Sequence, residues 1–344
     1  MSILVIGGGK MGMSHLALAT RYVGKSGVAL CEQKRLTRLL FGRLGYRAFA
    51  SVDAAAAALP KLDGILIATP TPSHAALAEW AIARGIPFFV EKPLTLDVAR
   101  SARLVEAAAA AGVPAQVGFV LRYVATFQHL RRLVAGGRLG RLQGYVASMR
   151  GNVVGKTLPE TSWQGDFRRG GGCLNEYGPH IIDLCRFIFG PVGDLGEVRM
   201  EQVHSTRADD RIFADWQHLD GTPARLEVDW CDPSKRKSVI EFRLSFDHAE
   251  LRADNSGVEI TWHEGAPLDA AERAALAITP APCNVGFFLR GEEFSLELEA
   301  FLGLCLGRNF HVDPDVPTET LPTLADGYEV DLLIDRIAGK AGLK

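Results

Sequence analysis

The sequence predicts an α/β domain followed by an α+β domain in which most strands are antiparallel. A glycine-rich turn directly follows an apolar run at the N-terminus. Short apolar strands then alternate with helical segments up to about residue 118, a pattern typical of βαβ units and a parallel sheet. Beyond that point short strands follow one another with turn residues between them, which indicates antiparallel pairing.

The chain has 344 residues, which is long for one hydrophobic core, so we expect two domains, 1–118 and 119–344. A hydrophobic fraction of 47% and a charged fraction of 23% are those of an ordinary soluble globular protein. The net charge of −2 argues against a nucleic-acid or anionic-membrane partner. No apolar run reaches the length needed to span a membrane.

The cysteines are scattered, and none forms a C-x-x-C pair. This excludes the usual zinc pattern and a disulfide framework, so we expect no metal. The N-terminus carries no signal-peptide pattern. Reduced thiols, including Cys283, and a cytoplasmic location are therefore expected.

The first apolar run, Ile3–Ile6, has the β-branched character of a buried parallel strand. A G-x-G-x-x-G turn follows it and opens a helical pattern over Met13–Val23. Such glycines permit a tight turn and let the backbone approach a pyrophosphate at the helix N-terminus. The pattern predicts a Rossmann dinucleotide-binding domain. The expected cofactor contacts in the turn are Gly7, Gly9, Lys10, Met11 and Gly12.

Glu32 ends the next predicted strand, Val28–Glu32, twenty residues after Gly12. An acid at this place accepts hydrogen bonds from the adenosine ribose and repels a 2′-phosphate. The sequence therefore favours NAD over NADP. Lys34 and Arg35 are close enough to pair with such a phosphate, so NADP stays possible, and a solvent-exposed strand end is the alternative interpretation of Glu32.

A later strand of this domain ends in a polar segment. Strand Leu62–Ala68 runs into the loop Thr69–His74, at the edge where open α/β sheets bind ligands. Thr71 is expected to cap the following helix, with Pro72 at its first position. The other predicted elements are helices at Asp53–Leu59, Ala75–Arg84 and Ala107–Ala111 and strands at Pro87–Val90 and Val113–Phe119.

Glu91 and Lys92 follow a strand directly and precede a proline. An ionisable pair at such a terminus suits a functional site. Lys92 is able to donate to a substrate hydroxyl, or to act as a base if burial lowers its pKa. A surface salt bridge is the alternative.

The stretch Gly170–Asp183 joins a polar loop to an apolar helical pattern. Pro179 suits the first turn of a helix. If the helix begins one turn earlier, Glu176 and His180 share a face, and the carboxylate can orient the imidazole for proton transfer. The alternative is a capping acid beside a core histidine.

The second domain is predicted as an antiparallel meander with helices at both ends. The predicted strands are Leu142–Met149, Val198–Val203, Ile212–Leu219, Ala224–Trp230, Val239–Phe246, Ala249–Leu251 and Val258–Trp262. The predicted helices are Phe127–Leu133, Phe294–Leu306 and Leu321–Ala338.

Five motifs, in this order and spacing, resemble the glucose–fructose oxidoreductase / inositol dehydrogenase / MocA (Gfo/Idh/MocA) family. They are Gly7–Gly12, Ala68–His74, Glu91–Leu94, Gly118–Tyr123 and Gly170–Asp183. The resemblance implies a Rossmann domain followed by an α+β domain with a large, mostly antiparallel open sheet. It also implies an NAD(P)-dependent oxidoreductase of a sugar or cyclitol, active as a homodimer or homotetramer.

Site residues follow from the same resemblance. The family's catalytic lysine and histidine fall on Lys92 and His180. Many members carry aspartate where this chain has Glu176, which keeps the charge and adds a methylene. The further cofactor residues implied are Thr69, Pro70, His74, Glu91 and Lys92, and the substrate residues are Lys92, Arg122, Trp163, Asn175, His180 and Asp183. For Asp183 the alternative is a brace within its helix.

Two other functions stay open. One is a redox-neutral enzyme in which tightly bound NAD oxidises a sugar transiently and so enables elimination or glycosidic cleavage. The other is a regulator that senses the cofactor without turnover.

Overall fold

The structure is a computed structural model that describes residues 2–159, 162–277, 285–311 and 321–343. These residues form two compact units. The first comprises Met1–Tyr123 and Cys283–Asp331, and the second Val124–Pro282 and Leu332–Lys344. Cys283 lies outside the described residues. The described cysteines are free thiols: Cys31, Cys173, Cys185, Cys231 and Cys305.

A six-stranded sheet in the order β3-β2-β1-β4-β5-β6 forms the centre of the first unit. All neighbouring strands pair in parallel. The strands are β1 (Ile3–Ile6), β2 (Val28–Cys31), β3 (Arg47–Phe49), β4 (Gly64–Ile67), β5 (Phe88–Val90) and β6 (Ala115–Val117). β1, β2, β4 and β5 are buried along their whole length, as expected for a parallel sheet covered on both faces. The Rossmann prediction is confirmed; β3 was not predicted.

Helices connect these strands. They are α1 (Lys10–Val23), α2 (Arg35–Arg43), α3 (Val52–Ala58), α4 (His74–Ile82) and α5 (Val98–Ala111). Ser51 and Asp97 cap α3 and α5 by accepting hydrogen bonds from backbone N–H groups of their first turns. The expected cap at Thr71 is wrong. Residues 71–73 instead form a 3₁₀ turn, in which Ser73 N donates to Pro70 O at 3.0 Å, so the α-helix begins only at His74.

The second unit contains a seven-stranded sheet in the order β13-β12-β11-β7-β10-β9-β8. Its elements are α6 (Ala125–Ala135), β7 (Leu142–Arg150), α7 (Cys173–Glu176), α8 (Gly178–Phe189), β8 (Val192–Glu201), β9 (Arg211–His218), β10 (Pro223–Asp229), β11 (Val239–Phe246), β12 (Ala249–Asp254), β13 (Val258–Trp262) and α9 (Ala270–Leu276). The mostly antiparallel open sheet is confirmed. The simple meander is not, because β10 and β11 lie on either side of β7 and β10 pairs with β7 in parallel.

Burial alternates along the central strands, so one face of this sheet carries the core. Aromatic side chains of α6 and α8 pack on that face. Phe127 lies edge-on to Phe242, and Phe189 stacks on Tyr145 with ring centroids 3.9 Å apart. These contacts fix α8, the helix that carries His180.

The last two helices are α10 (Glu292–Leu306) and α11 (Leu324–Ala341). Leu298, Phe301 and Leu302 of α10 belong to the same buried cluster as Ile3 and Val5 of β1. The expected division at residue 118 therefore differs from the observed one, since α10 packs on the six-stranded sheet of the first unit although it is distant in sequence. No helix in the described part of the chain is long and apolar enough to cross a membrane.

Candidate active site

The glycine turn between β1 and α1 leaves no room for side chains at two positions. Gly7 has φ +103°, in the region that favours glycine. A Cβ at Gly12 would lie 1.8 Å from Gly7 O, whereas a Cβ at Gly9 would meet nothing within 4 Å. Gly12 thus closes the turn against Gly7, and Gly9 faces open space. This is the geometry in which backbone can approach a pyrophosphate, so the residues present fit a dinucleotide.

Glu32 lies beside this turn, at the end of β2. Its Oε2 accepts a hydrogen bond from Gly8 N at 2.7 Å, and its Oε1 accepts one from Lys34 N at 2.7 Å. Arg38 Nη1 donates to Glu32 O at 2.8 Å and so holds the end of the strand. The carboxylate is therefore fixed next to the predicted dinucleotide turn by its own backbone contacts.

His74 braces two loops of the first unit. Its ring is buried, with Nδ1 2.9 Å from Pro93 O and Nε2 2.9 Å from Thr69 O. Burial lowers the pKa of His74 and outweighs the two carbonyls and the Glu91 charge, which act to raise it. The neutral ring donates to one carbonyl at a time. His74 thus joins the loop after β4 to the segment that contains Lys92, a role that the sequence did not predict.

Glu91 pairs with a histidine that the sequence analysis did not identify as functional. His15 Nε2 lies 2.8 Å from Glu91 Oε1, and both side chains are largely buried. Burial alone would raise the pKa of Glu91, but the His15 hydrogen bond and the charges of His15 and Lys92 lower it overall. A Cβ at Gly118 would lie 3.0 Å from Glu91 Oε2, so the carboxylate is confined on that side as well. The half-buried Lys92 follows it directly.

The segment after Lys92 is held by a buried acid of α11. Asp331 Oδ2 accepts hydrogen bonds from Thr95 N at 2.8 Å and from Ser101 Oγ at 2.7 Å. Burial raises the pKa of Asp331 to about 7. Nothing in the sequence pattern indicated this residue.

Arg122 is buried and engaged within the first unit. Its Nη2 lies 3.1 Å from Asp326 Oδ1. Burial acts to raise the pKa of Asp326, but the Arg122 charge and the Thr323 hydrogen bonds lower it overall. The ion pair joins the segment after β6 to α11. The sequence analysis predicted Arg122 as a substrate contact and did not predict this ion pair.

In the second unit, the polar stretch forms two helices rather than one. α7 ends at Glu176 and α8 begins at Gly178, with Tyr177 as the residue between them. His180 N donates to Tyr177 O at 3.1 Å, a turn shorter than an α-helical one. The expected helix is thus interrupted at Tyr177, whose backbone is still in the right-handed helical region, and a shared face for Glu176 and His180 stays a prediction. Both side chains are half-buried.

The other expected substrate residues of this unit differ in exposure. Asn175 is buried, and its Nδ2 donates to Gly171 O at 2.9 Å and Phe167 O at 3.2 Å, which ties α7 to the polar loop. Asp183 is also buried, whereas Trp163 is 45% exposed. Within the described ranges, no group of three or more His, Cys, Asp or Glu side chains is arranged to hold a metal ion.

Two family models match this chain in sequence. Residues 1–119 match an oxidoreductase family with an NAD-binding Rossmann fold, and residues 127–252 match the Gfo/Idh/MocA C-terminal domain. Among solved structures, levoglucosan dehydrogenase in complex with NADH has a TM-score of 0.79 at 19% identity and covers 99% of this chain and 97% of that one. The WlbA dehydrogenase from Bordetella pertussis, in complex with NADH and UDP-GlcNAcA, has a TM-score of 0.75 at 18% identity, with 99% and 95% coverage. These structures show the fold.

Curated relatives give higher identity over shorter stretches. The inositol 2-dehydrogenase of Streptomyces avermitilis is 37% identical over 145 residues, which are 41% of this chain and 42% of that protein. The D-apiose dehydrogenase of Paraburkholderia graminis is 28% identical over 289 residues, 81% and 74% of the two chains. This chain thus spans under half the length of the inositol 2-dehydrogenase that it matches. The two family models match residues 1–119 and 127–252, one after the other and together over most of the sequence. The chain therefore belongs to the Gfo/Idh/MocA family of NAD-binding oxidoreductases.

Proposed function

We propose that this protein is an NAD-dependent dehydrogenase that interconverts a secondary alcohol and a ketone on a sugar or cyclitol. The observation that carries the proposal is the glycine turn, which is open at Gly9 and has the Glu32 carboxylate fixed beside it. That arrangement suits a dinucleotide whose ribose hydroxyls donate to an acid, and it disfavours a 2′-phosphate.

Bound NAD would supply the hydride acceptor, and the protein would supply position and proton transfer. The Gly7–Gly12 backbone and Glu32 hold the cofactor in this proposal. His180 accepts the proton of the substrate hydroxyl, as an imidazole can near neutral pH. Lys92 stabilises the developing alkoxide with its positive charge. Glu176 supports His180, while Asn175 and Arg122 shape the site through the backbone and carboxylate contacts that they make.

The names of related proteins support a polyhydroxylated substrate. They include dehydrogenases of inositol, D-apiose and levoglucosan. We infer that this chain acts on a compound of the same chemical class, in which several adjacent hydroxyls offer hydrogen bonds to polar side chains. In keeping with the family, we also propose a homodimer or homotetramer, which light scattering on the purified protein would test.

The decisive experiment is a substrate screen that follows NADH absorbance. The panel contains inositols, aldoses, anhydrosugars and nucleotide-linked sugars, each with NAD and with NADP, and the Lys92→Met protein is the blank. We expect NADH formation with at least one polyol or sugar and not with the blank. Protein that releases NAD only on denaturation, converts a sugar and makes no net NADH would support the redox-neutral alternative. Absence of any conversion across the panel would favour the regulator.

A further inference from the structure

A buried acid of the second unit holds the start of α7. Asp209 is fully buried, and its Oδ2 accepts hydrogen bonds from Leu174 N at 2.7 Å and from Cys173 Sγ at 3.0 Å. Cys173 N in turn donates to Asp209 O at 3.0 Å. Three contacts from one residue therefore fix the first turn of the short helix that carries Asn175 and Glu176.

The Asp209 carboxylate occupies the space in which a side chain at position 172 would lie. Gly172, the residue before α7, has φ +92°, and a Cβ built on it would lie 2.1 Å from Asp209 Oδ1. In the described part of the chain Oδ1 is buried and has no hydrogen-bond partner. A glycine is thus required twice over at position 172, by its backbone conformation and by its contact with the acid.

We propose that Asp209 is a positioning residue for the proposed dehydrogenase reaction, which it serves by fixing α7 and, through Tyr177, the start of the helix that carries His180. The inference rests on the proposed function, since it concerns the placement of residues given a role there. Asp209 itself touches the backbone and a thiol, so it acts through the segment that it anchors.

The neighbouring Asp210 provides a matched control. It is equally buried, but its carboxylate serves a different segment: Oδ2 accepts from the backbone N–H groups of Val203, His204 and Ser205. Its Oδ1 accepts from Ser205 Oγ and Trp230 Nε1, each at 2.8 Å. The Asp210 carboxylate accepts five hydrogen bonds and the Asp209 carboxylate two, so Asp210→Ala is the more severe loss of buried hydrogen bonds, although none of the five comes from α7.

The two acids also differ in protonation. Burial raises the pKa of Asp209 to about 6, and the charge of Asp210 acts in the same direction. Hydrogen bonds to Trp230 and to the turn lower the pKa of Asp210 despite burial. The Cys173 thiol donates to Asp209, and the charge of Asp229, which pairs with Arg211, acts on that thiol. The wild-type anchor therefore changes charge near pH 6, and an asparagine would not.

The experiment compares Asp209→Ala, Asp209→Asn and Asp210→Ala in the full-length protein, using a substrate from the screen. For Asp209→Ala we expect kcat/KM to fall by at least about tenfold while the Kd for NAD changes by less than about threefold. Asparagine keeps one acceptor oxygen, so Asp209→Asn should recover most of the activity and lose any inflection of the pH profile near pH 6. Asp210→Ala should lower the Tm and leave kcat/KM within about threefold of wild type. Equal losses of kcat/KM in the two alanine variants would overturn the proposal.

Amide hydrogen exchange over residues 172–180 gives a readout that does not need turnover. Asp209→Ala should speed exchange at Leu174 and in α7, whereas Asp210→Ala should not. If Asp209→Ala fails to fold, Cys173→Ala replaces it, because it removes the thiol contact alone and should give a smaller change in the same direction. Unchanged exchange in α7 would refute the anchor. Failure of the wild type in the substrate screen would refute the proposed function instead, and the exchange result would still be decisive for the anchor.

Discussion

His15 Nε2 and Glu91 Oε1 lie 2.8 Å apart in the first unit and link the helix of the nucleotide turn to the segment that contains Lys92. His15 is three residues beyond Gly12, and Glu91 is the residue before Lys92. The ring of His15 also packs edge-on against Phe89 of β5, with centroids 5.0 Å apart. A shift of α1 would therefore displace Glu91, the residue before the proposed catalytic Lys92.

We expect His15→Leu to destabilise the protein by about 3 kcal/mol, because it leaves a buried carboxylate without its partner. Replacing both members, His15→Leu with Glu91→Leu, should cost less than the single change, since no charge is then left unpaired. Urea unfolding at pH 7 measures both values, with Ser14→Ala on the same helix as the control. A double variant that is less stable than His15→Leu would contradict this account.

The same pair should give a defined pH dependence. The pKa of Glu91 is lowered in the folded protein, so its contribution to stability is present above the carboxyl's unfolded pKa and is lost as the pH falls through the folded value. The stability difference between wild type and Glu91→Gln should therefore shrink on acidification from pH 7 to below about 4, the unfolded value for a glutamate. A difference that grows towards acid pH would show that the Glu91 pKa is raised instead.

Glu32→Gln should weaken the preference for NAD over NADP by about tenfold, which is about 1.4 kcal/mol. The amide removes the negative charge that repels a 2′-phosphate, and Arg38 still holds the end of the strand through Glu32 O. Isothermal titration of the apo protein with NADH and NADPH measures the ratio. Lys34→Ala, which keeps the Lys34 N–H contact to Glu32, is the control for a basic residue in the same loop. Tighter binding of NADPH than NADH by the wild type would overturn the role given to Glu32.

Lys92→Met and His180→Ala should each lower kcat by about 10²–10⁴, the usual range for loss of a proton-transfer or charge-stabilising group. Binding of NADH should change little in His180→Ala, because the expected cofactor contacts lie in other segments. Steady-state kinetics with a substrate from the screen and NADH fluorescence titration measure the two effects. If His180→Ala keeps kcat within a few-fold of wild type, the histidine is not the base.

The local pattern of apolar runs and turn residues was sufficient to predict most of the secondary structure. The buried strands β1, β2, β4 and β5 are continuous apolar runs next to glycine or polar turns, and β11 and β13 were predicted with their observed bounds. The glycine turn was predictable because Gly7 and Gly12 meet steric demands that no other residue satisfies.

The sequence could not show contacts between distant segments. Membership of α10 in the nucleotide-binding unit depends on Phe301 packing near Ile3, about 300 residues away. Insertion of β7 between β10 and β11 is likewise a matter of pairing between strands. No sequence feature indicated the break between α7 and α8 at Tyr177. His15, Asp209 and Asp331 belong to no sequence motif that we identified, so their contacts with Glu91, Leu174 and Thr95 are known only from the fold.

Asp331 should make the protein less stable as the pH rises towards neutrality. Its pKa is raised to about 7 in the folded state because the carboxyl is buried, whereas an unfolded aspartate titrates near 3.9. The folded state therefore binds one proton more than the unfolded state between these values. The favourable contribution is complete below about pH 3.9, falls by up to about 1.4 kcal/mol per pH unit above it, and is lost as the pH passes through about 7.

Asp331→Asn should abolish this slope, because asparagine does not titrate and still offers an oxygen to Thr95 N and Ser101 Oγ. Chemical unfolding of wild type and variant at intervals from pH 4.5 to 8 measures the difference. Asp326, on the same helix, is the matched control: its pKa is lowered overall, so its contribution to stability is lost only below about pH 3.9, and Asp326→Asn should leave the slope between pH 4.5 and 8 unchanged. Parallel pH profiles for wild type and Asp331→Asn would mean that Asp331 is ionised throughout, and its hydrogen bonds to Thr95 and Ser101 would then have to outweigh the cost of burying its charge.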